Sequence, residues 1–210
     1  GGGESLILNL ARSLKADIYT GFIDYKKTFN TKGIMIKSMG INSRLPRLIR
    51  NILIAKSFEK YKFPEYDAFV FSGVWCIAAS GNRPAVLYCH TPPRYLYGYR
   101  TAIDWQRYWP VKIYGHLLGH FLRLYDFLGA KRVDKFIANS KNVAARIEKF
   151  YRKLPVVIYP PVDVVRIEKL ASQERLLRTY FLVASRISSE KGLPMAMEAA
   201  NKLGVKLKVV

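Results

Sequence analysis

Acidic residues are scarce in this chain. Fifteen Asp and Glu stand against 35 Lys and Arg in 210 residues, a net charge of +20 at pH 7. Such a balance is far from that expected of an enzyme with small neutral substrates. It favours anionic partners: nucleic acid, a phospholipid surface or a phosphorylated substrate. Cysteine is nearly missing as well. Cys76 and Cys89 are too few for a disulfide framework and form no C-x-x-C pair, so a reducing compartment, the cytoplasm, is expected. No apolar run reaches the roughly 18–20 residues of a membrane span, and no signal-peptide pattern opens the chain. Membrane contact is therefore expected to be peripheral.

What is present reads as a globular protein. Half of the residues are hydrophobic and 24% are charged, which excludes intrinsic disorder and collagen-like or low-complexity scaffolds. At roughly 150 residues per domain the length corresponds to about 1.4 domains. The chain opens on Gly1 rather than Met and closes on Val209 and Val210, so it reads as an excerpt from a longer protein.

Apolar spacing predicts a helix over 3–14 after a glycine-rich lead-in, and strands over 17–20 and 34–37. Residues 44–61 read as a basic amphipathic helix with Pro46 in its first turn. Its apolar face is formed by Leu45, Leu48, Ile49, Ile52 and Leu53, and its charge comes from Arg44, Arg47, Arg50, Lys56 and Lys60. Short apolar runs bounded by Gly, Pro or Asn predict buried parallel strands over 68–71, 85–89, 135–138, 156–158, 180–184 and 206–210. Helices are predicted over 105–128, over 141–151 with Ser140 as N-cap, and over 194–203. This alternation is the pattern of a doubly wound α/β fold, in which ligands bind at the carboxyl ends of the strands. The polar stretch 163–178 reads as a hinge. It separates a first domain over 1–163 from the start of a second over 164–210.

Several residues fall where such a fold does its chemistry. Gly1, Gly2 and Gly3 precede a helix, where free N–H groups and the positive helix end attract anions and glycine admits a phosphate closely; a flexible linker is the competing reading. His90 opens the loop His90-Thr91-Pro92-Pro93-Arg94-Tyr95 directly after a strand, placed to meet a sugar hydroxyl or a phosphate, although loop histidines are often structural. Arg186 and Lys191 lie between a strand and a helix and are placed to reach one anion. His116 and His120 share a helical face but lack the Glu of H-E-x-x-H and any third ligand, so no metal is expected. Arg44, Arg47 and Arg50 form a membrane or acceptor face, or a solvated face of a helix packed on the sheet.

Four segments carry a resemblance. They are Gly1-Gly2-Gly3-Glu4; Tyr88 to Tyr95; Val133 to Ser140 continuing to Val157 to Asp163; and Ser185-Arg186 through Lys191-Gly192. Together they resemble the retaining glycosyltransferases of family 4, whose GT-B fold sets two Rossmann-like domains face to face. The His-Thr-Pro form with Arg94 and Tyr95 is most similar to nucleotide-sugar-dependent mannosyltransferases of polysaccharide and lipid-linked glycan assembly. The resemblance implies that Arg186 and Lys191 bind the donor diphosphate and neutralise its developing charge, that His90 contacts the transferred sugar, and that Gly1 to Gly3 approach the donor phosphate and the acceptor. It implies retention of configuration, no metal and no cofactor beyond a nucleotide-sugar donor, expected to be GDP-mannose. The acceptor is expected to be lipid-linked or a polysaccharide, met at the inner, cytoplasmic face of a membrane. The excerpt alone is expected to be inactive. The competing expectation is a non-catalytic basic module binding nucleic acid or anionic lipid; no helix-turn-helix, zinc-finger, KH or RRM signature supports nucleic acid as a partner.

Overall fold

The computed structural model describes residues 2–24, 31–97, 109–173, 179–185, 187 and 191–210, without the side chains of 47, 109–117 and 173. The chain divides into two compact units, Gly1–Gly98 with His116–Pro161, and Tyr99–Gly115 with Val162–Val210.

The first unit opens with α1 (Gly2–Leu14), one residue longer than predicted, and continues with β1 (Ile18–Thr20) and β2 (Ile36–Ser38), which pair in parallel as a two-stranded sheet. Next come α2 (Arg47–Lys60) and β3 (Phe69–Ser72), a short 3-10 helix (Trp75–Ala79) that the sequence reading missed, and β4 (Ala85–Cys89). The long α3 (Trp109–Arg132), which belongs to this unit from His116 on, leads to β5 (Lys135–Ala138), α4 (Lys141–Tyr151) and β6 (Val156–Val157). Strands β3-β4-β5-β6 lie in that order in one parallel sheet, with Leu87 level with Phe71 on one side and Phe136 on the other.

Burial explains this centre. Ala85, Ala138 and Ile147 are wholly buried, and Leu87, Phe136, Val133 and Ala130 are nearly so. Small residues on the strands admit the helices closely, while Val143, Ala144, Ile147 and Tyr151 give α4 one apolar stripe. Its N-terminus is capped as expected: the Ser140 hydroxyl accepts from the Val143 N–H at 3.3 Å. At the opposite end of the strands, Asp134 accepts from the Ala85 N–H at 2.8 Å and from Arg83 at 2.7 Å, which ties β4 to β5.

Two expectations are corrected and a third gains detail. Helix α2 begins at Arg47 because Pro46 is extended (φ −50°, ψ 137°) and acts as the N-cap residue rather than as part of the first turn. The apolar face read for that helix points outward: Leu48, Ile49, Ile52 and Leu53 are exposed, and the side chains that pack inward are Ile54, Ala55 and Phe58. The sequence reading takes the stripe richer in leucine and isoleucine as the buried one, whereas the core holds Ala55 and Phe58. The stretch read as a hinge contains a helix, α5 (Val164–Gln173), begun by Asp163, whose carboxylate accepts from the Arg166 N–H at 3.0 Å.

The second unit continues with β7 (Phe181–Val183), α6 (Leu193–Leu203) and β8 (Leu207–Val209); β7 and β8 pair in parallel. Pro194 falls in the first turn of α6, and Gly204 ends it in the left-handed conformation. Among the described residues every strand pairing is parallel, and helices alternate with most of the strands, so the α/β class read from the sequence holds.

Candidate active site

Parallel strands direct their carboxyl ends to one rim, and in the first unit that rim gathers Ser72, His90 and Thr91. Gly73, at φ +113°, turns the chain out of β3 in a conformation that favours glycine. Ser72 Oγ and His90 Nε2 are 3.0 Å apart and share one hydrogen bond, with either group able to donate according to the imidazole tautomer. The Tyr88 ring tilts against the His90 ring at 5.5 Å, and the Tyr88 hydroxyl donates to the Ile158 carbonyl at 2.9 Å. His90 is half-buried, and this burial lowers its pKa, so the ring is neutral at pH 7.

The glycine-rich start of α1 reaches the same place. A Cβ on Gly3 would stand 3.4 Å from both Cε1 and Nε2 of His90, so the backbone of the first helical turn lies against the imidazole. Gly2 is exposed with nothing near its missing side chain, and Gly1 lies outside the described residues. On the far side, Arg146 of α4 donates to the Thr91 hydroxyl at 3.1 Å and brings a guanidinium to the loop.

Beneath His90 is a cavity of about 160 Å³, lined mainly by apolar groups such as Val74, Ile77, Leu87 and Cys89 and floored by Asp126 and Tyr151. Asp126 Oδ2 accepts from the Tyr97 hydroxyl at 2.8 Å and the Tyr151 hydroxyl at 2.9 Å. Burial pushes the Asp126 carboxyl up to about 6, against which the two tyrosine hydrogen bonds act. Burial also pushes the Cys89 thiol up to about 12, so it is a neutral wall rather than a nucleophile.

Sequence reasoning identified His90 and Gly3, and the structure brings them together. It missed Ser72, Arg146 and Asp126 as site residues. Asp126 carried a readable signal, a carboxylate in an otherwise apolar turn, Leu124-Tyr125-Asp126-Phe127-Leu128. Ser72 and Arg146 carried none, since only the register of β3 and the rotation of α4 aim them at the site.

Lys191 belongs to the second unit, exposed just before the Gly192 that begins α6, while Arg186 lies outside the described residues. Arg44 is exposed, and the Arg47 side chain lies outside the described residues. Arg50 is turned back on its own loop: Nη1 donates to the Ser43 carbonyl at 2.7 Å, and the guanidinium stands over the Phe22 ring at 5.3 Å. Among the described residues no three His, Cys, Asp or Glu side chains gather as a metal-binding set.

The family model described as Glycosyltransferase Family 4 matches residues 1–166. The chain belongs to glycosyltransferase family 4. Its α/β architecture of parallel strands is that of a Rossmann-like GT-B domain, and membership of the family makes glycosyl transfer, from a sugar donor to an acceptor, its class of reaction. A search of curated proteins finds none that matches this chain. Within a family 4 domain, the rim holding His90, Ser72 and Gly3 is the candidate active site.

Proposed function

We propose that this family 4 domain transfers mannose from GDP-mannose, with retention of configuration, to a lipid-linked or polysaccharide acceptor at the cytoplasmic face of a membrane. The observation that carries the reading is the placement of a neutral His90 against the Gly3 backbone at the carboxyl rim of the parallel sheet. A neutral imidazole there offers a donor or acceptor to a sugar hydroxyl without adding a fixed charge, and Ser72 holds its orientation. Gly2 and Gly3 present the first N–H groups of α1 to an anion. Arg186 and Lys191 neutralise the charge that grows on the diphosphate as the nucleotide leaves, an interaction stronger in the transition state than in the ground state. In this reading the leaving group is stabilised by these cations, with no metal and no further cofactor. Arg44 and the net charge of +20 favour an anionic surface around the acceptor.

The test offers the intact protein that contains this domain labelled GDP-mannose, UDP-glucose and UDP-N-acetylglucosamine separately, with a detergent-dispersed membrane-lipid extract. Label entering the lipid or polysaccharide fraction from GDP-mannose alone, with the anomeric configuration kept, is the expected result. Transfer from another donor overturns the assignment of sugar and base. His90→Ala, Arg186→Ala and Lys191→Ala should each lower kcat/KM by about 100-fold or more, as for loss of a group acting in the transition state.

A further inference from the structure

The outward stripe of α2 is one feature of the first unit that the site does not use; Phe121, Leu124 and Leu128 of α3 are exposed as well. Leu48, Ile49, Ile52 and Leu53 are 52%, 49%, 41% and 37% exposed. Their spacing of one and four residues places all four on one side of a helix. That side cannot be buried by a simple roll of the helix. The opposite stripe is already committed, with Ala55 and Phe58 in the core and Ile54 pressed against Gly21, whose missing Cβ would come within 2.6 Å of Ile54 Cγ1. Four adjacent aliphatic side chains are therefore held open to solvent by the packing of the helix that bears them.

Charge says what fits this face. Lys56 and Lys60 fall on the same side one and two turns further along, and Arg44 lies exposed just before the helix. Glu59 is the single carboxylate of α2. A stripe of aliphatic groups with long, flexible ammonium side chains among them matches a bilayer interface: the branched carbons enter the acyl boundary while the lysine stems extend to the phosphates. Nucleic acid would satisfy the cations but leave the four aliphatic side chains in water. An arginine patch alone would place Arg50 on the surface, whereas that guanidinium is bound to Ser43 and stands over Phe22.

We propose that α2 lies in the plane of an anionic phospholipid bilayer and inserts Leu48, Ile49, Ile52 and Leu53 into it, with Lys56 and Lys60 engaging the headgroups. This deepens the membrane-surface part of the proposed function and rests on it, yet it is read out by binding without any sugar donor. Attachment by insertion behaves differently from attachment by charge: attraction between exposed charges is screened within about 3 Å at 1 M salt, whereas buried apolar area keeps its effect.

The experiment is sedimentation of this chain with vesicles of phosphatidylcholine and phosphatidylglycerol, at low and high salt, with sugar transfer to detergent-dispersed acceptor measured in parallel on the intact protein that contains it. The expected result is binding that weakens but persists in high salt, and that falls about tenfold or more for the double variant Ile49→Ser, Ile52→Ser. Transfer to dispersed acceptor is expected to be unchanged in that variant, so loss of binding and loss of activity are separable. Leu53→Cys carrying an environment-sensitive dye should shift its emission to the blue on addition of vesicles. Three results would overturn the proposal: no vesicle binding, binding unaffected by the serine substitutions, or concentration-dependent self-association that the same substitutions abolish while vesicles are ignored.

Discussion

The Cβ that Gly3 lacks would stand 3.4 Å from two atoms of the His90 imidazole, so the first turn of α1 and the end of β4 meet at one point. A methyl group fits at that distance in ordinary contact, but a longer side chain does not. Gly3→Ala is therefore expected to leave the His90 proton resonances in place and to raise stability by a few tenths of a kcal/mol through helix propensity. Gly3→Leu should displace the ring, move those resonances and weaken the Ser72 hydrogen bond. Proton NMR of the two variants beside thermal melting checks this, and equal behaviour of Ala and Leu would show that the contact is not there.

Burial lowers the pKa of His90, which fixes the sign of its effect on stability. The unfolded histidine, near its ordinary value of about 6.5, takes up a proton before the folded one does. Stability is unaffected by this group above that value and declines as pH falls below it, until the folded ring also protonates. An NMR titration should give His90 a midpoint below 6.5. His90→Gln should remove both that signal and its share of the acid slope.

Asp126 acts in the opposite direction. Its carboxyl is raised to about 6 by burial, so the unfolded chain ionises first as pH rises from about 4. Stability should fall across pH 4–6 by on the order of 3 kcal/mol and then level off. Asp126→Asn keeps an acceptor for the hydroxyls of Tyr97 and Tyr151 and should abolish this slope. Asp126→Leu leaves both hydroxyls without their acceptor and should cost about 1–3 kcal/mol for each. Urea unfolding of wild type and both variants at several pH values measures each slope, and a slope that survives in Asp126→Asn would remove Asp126 as its source.

Much of this is legible in the sequence. The strand over 85–89 and the helix over 141–151 match their predicted bounds, because Gly, Pro and a capping Ser punctuate them. Gly3 and His90 are each legible as candidates, but their contact at the end of β4 is not. What the sequence left hidden is rotational. Helix α2 carries apolar residues on two sides, and only the close approach at Gly21 decides that Ile54 faces inward while Leu48 and Ile52 face out. Arg146 and Ser72 reach the site through the same kind of choice, made by the packing of α4 and the register of β3.

That choice at Gly21 can be measured. Ile54 Cγ1, Cδ1 and Cγ2 would lie 2.6, 2.9 and 3.2 Å from a Cβ at position 21, so Gly21→Ala must push α2 away and should cost about 1–3 kcal/mol. Ile54→Ala removes all three offending atoms and should itself cost about 2 kcal/mol, the low end of the range for such truncations, because Ile54 is only half-buried. In the double variant the new methyl group enters the space that the isoleucine vacated. Its stability should then be close to that of Ile54→Ala alone, a coupling of about 1–3 kcal/mol in a double-mutant cycle of urea unfolding. Strict additivity would mean that the two residues do not touch. The inward face of α2 would then lose its anchor, and the outward stripe would no longer be fixed toward solvent.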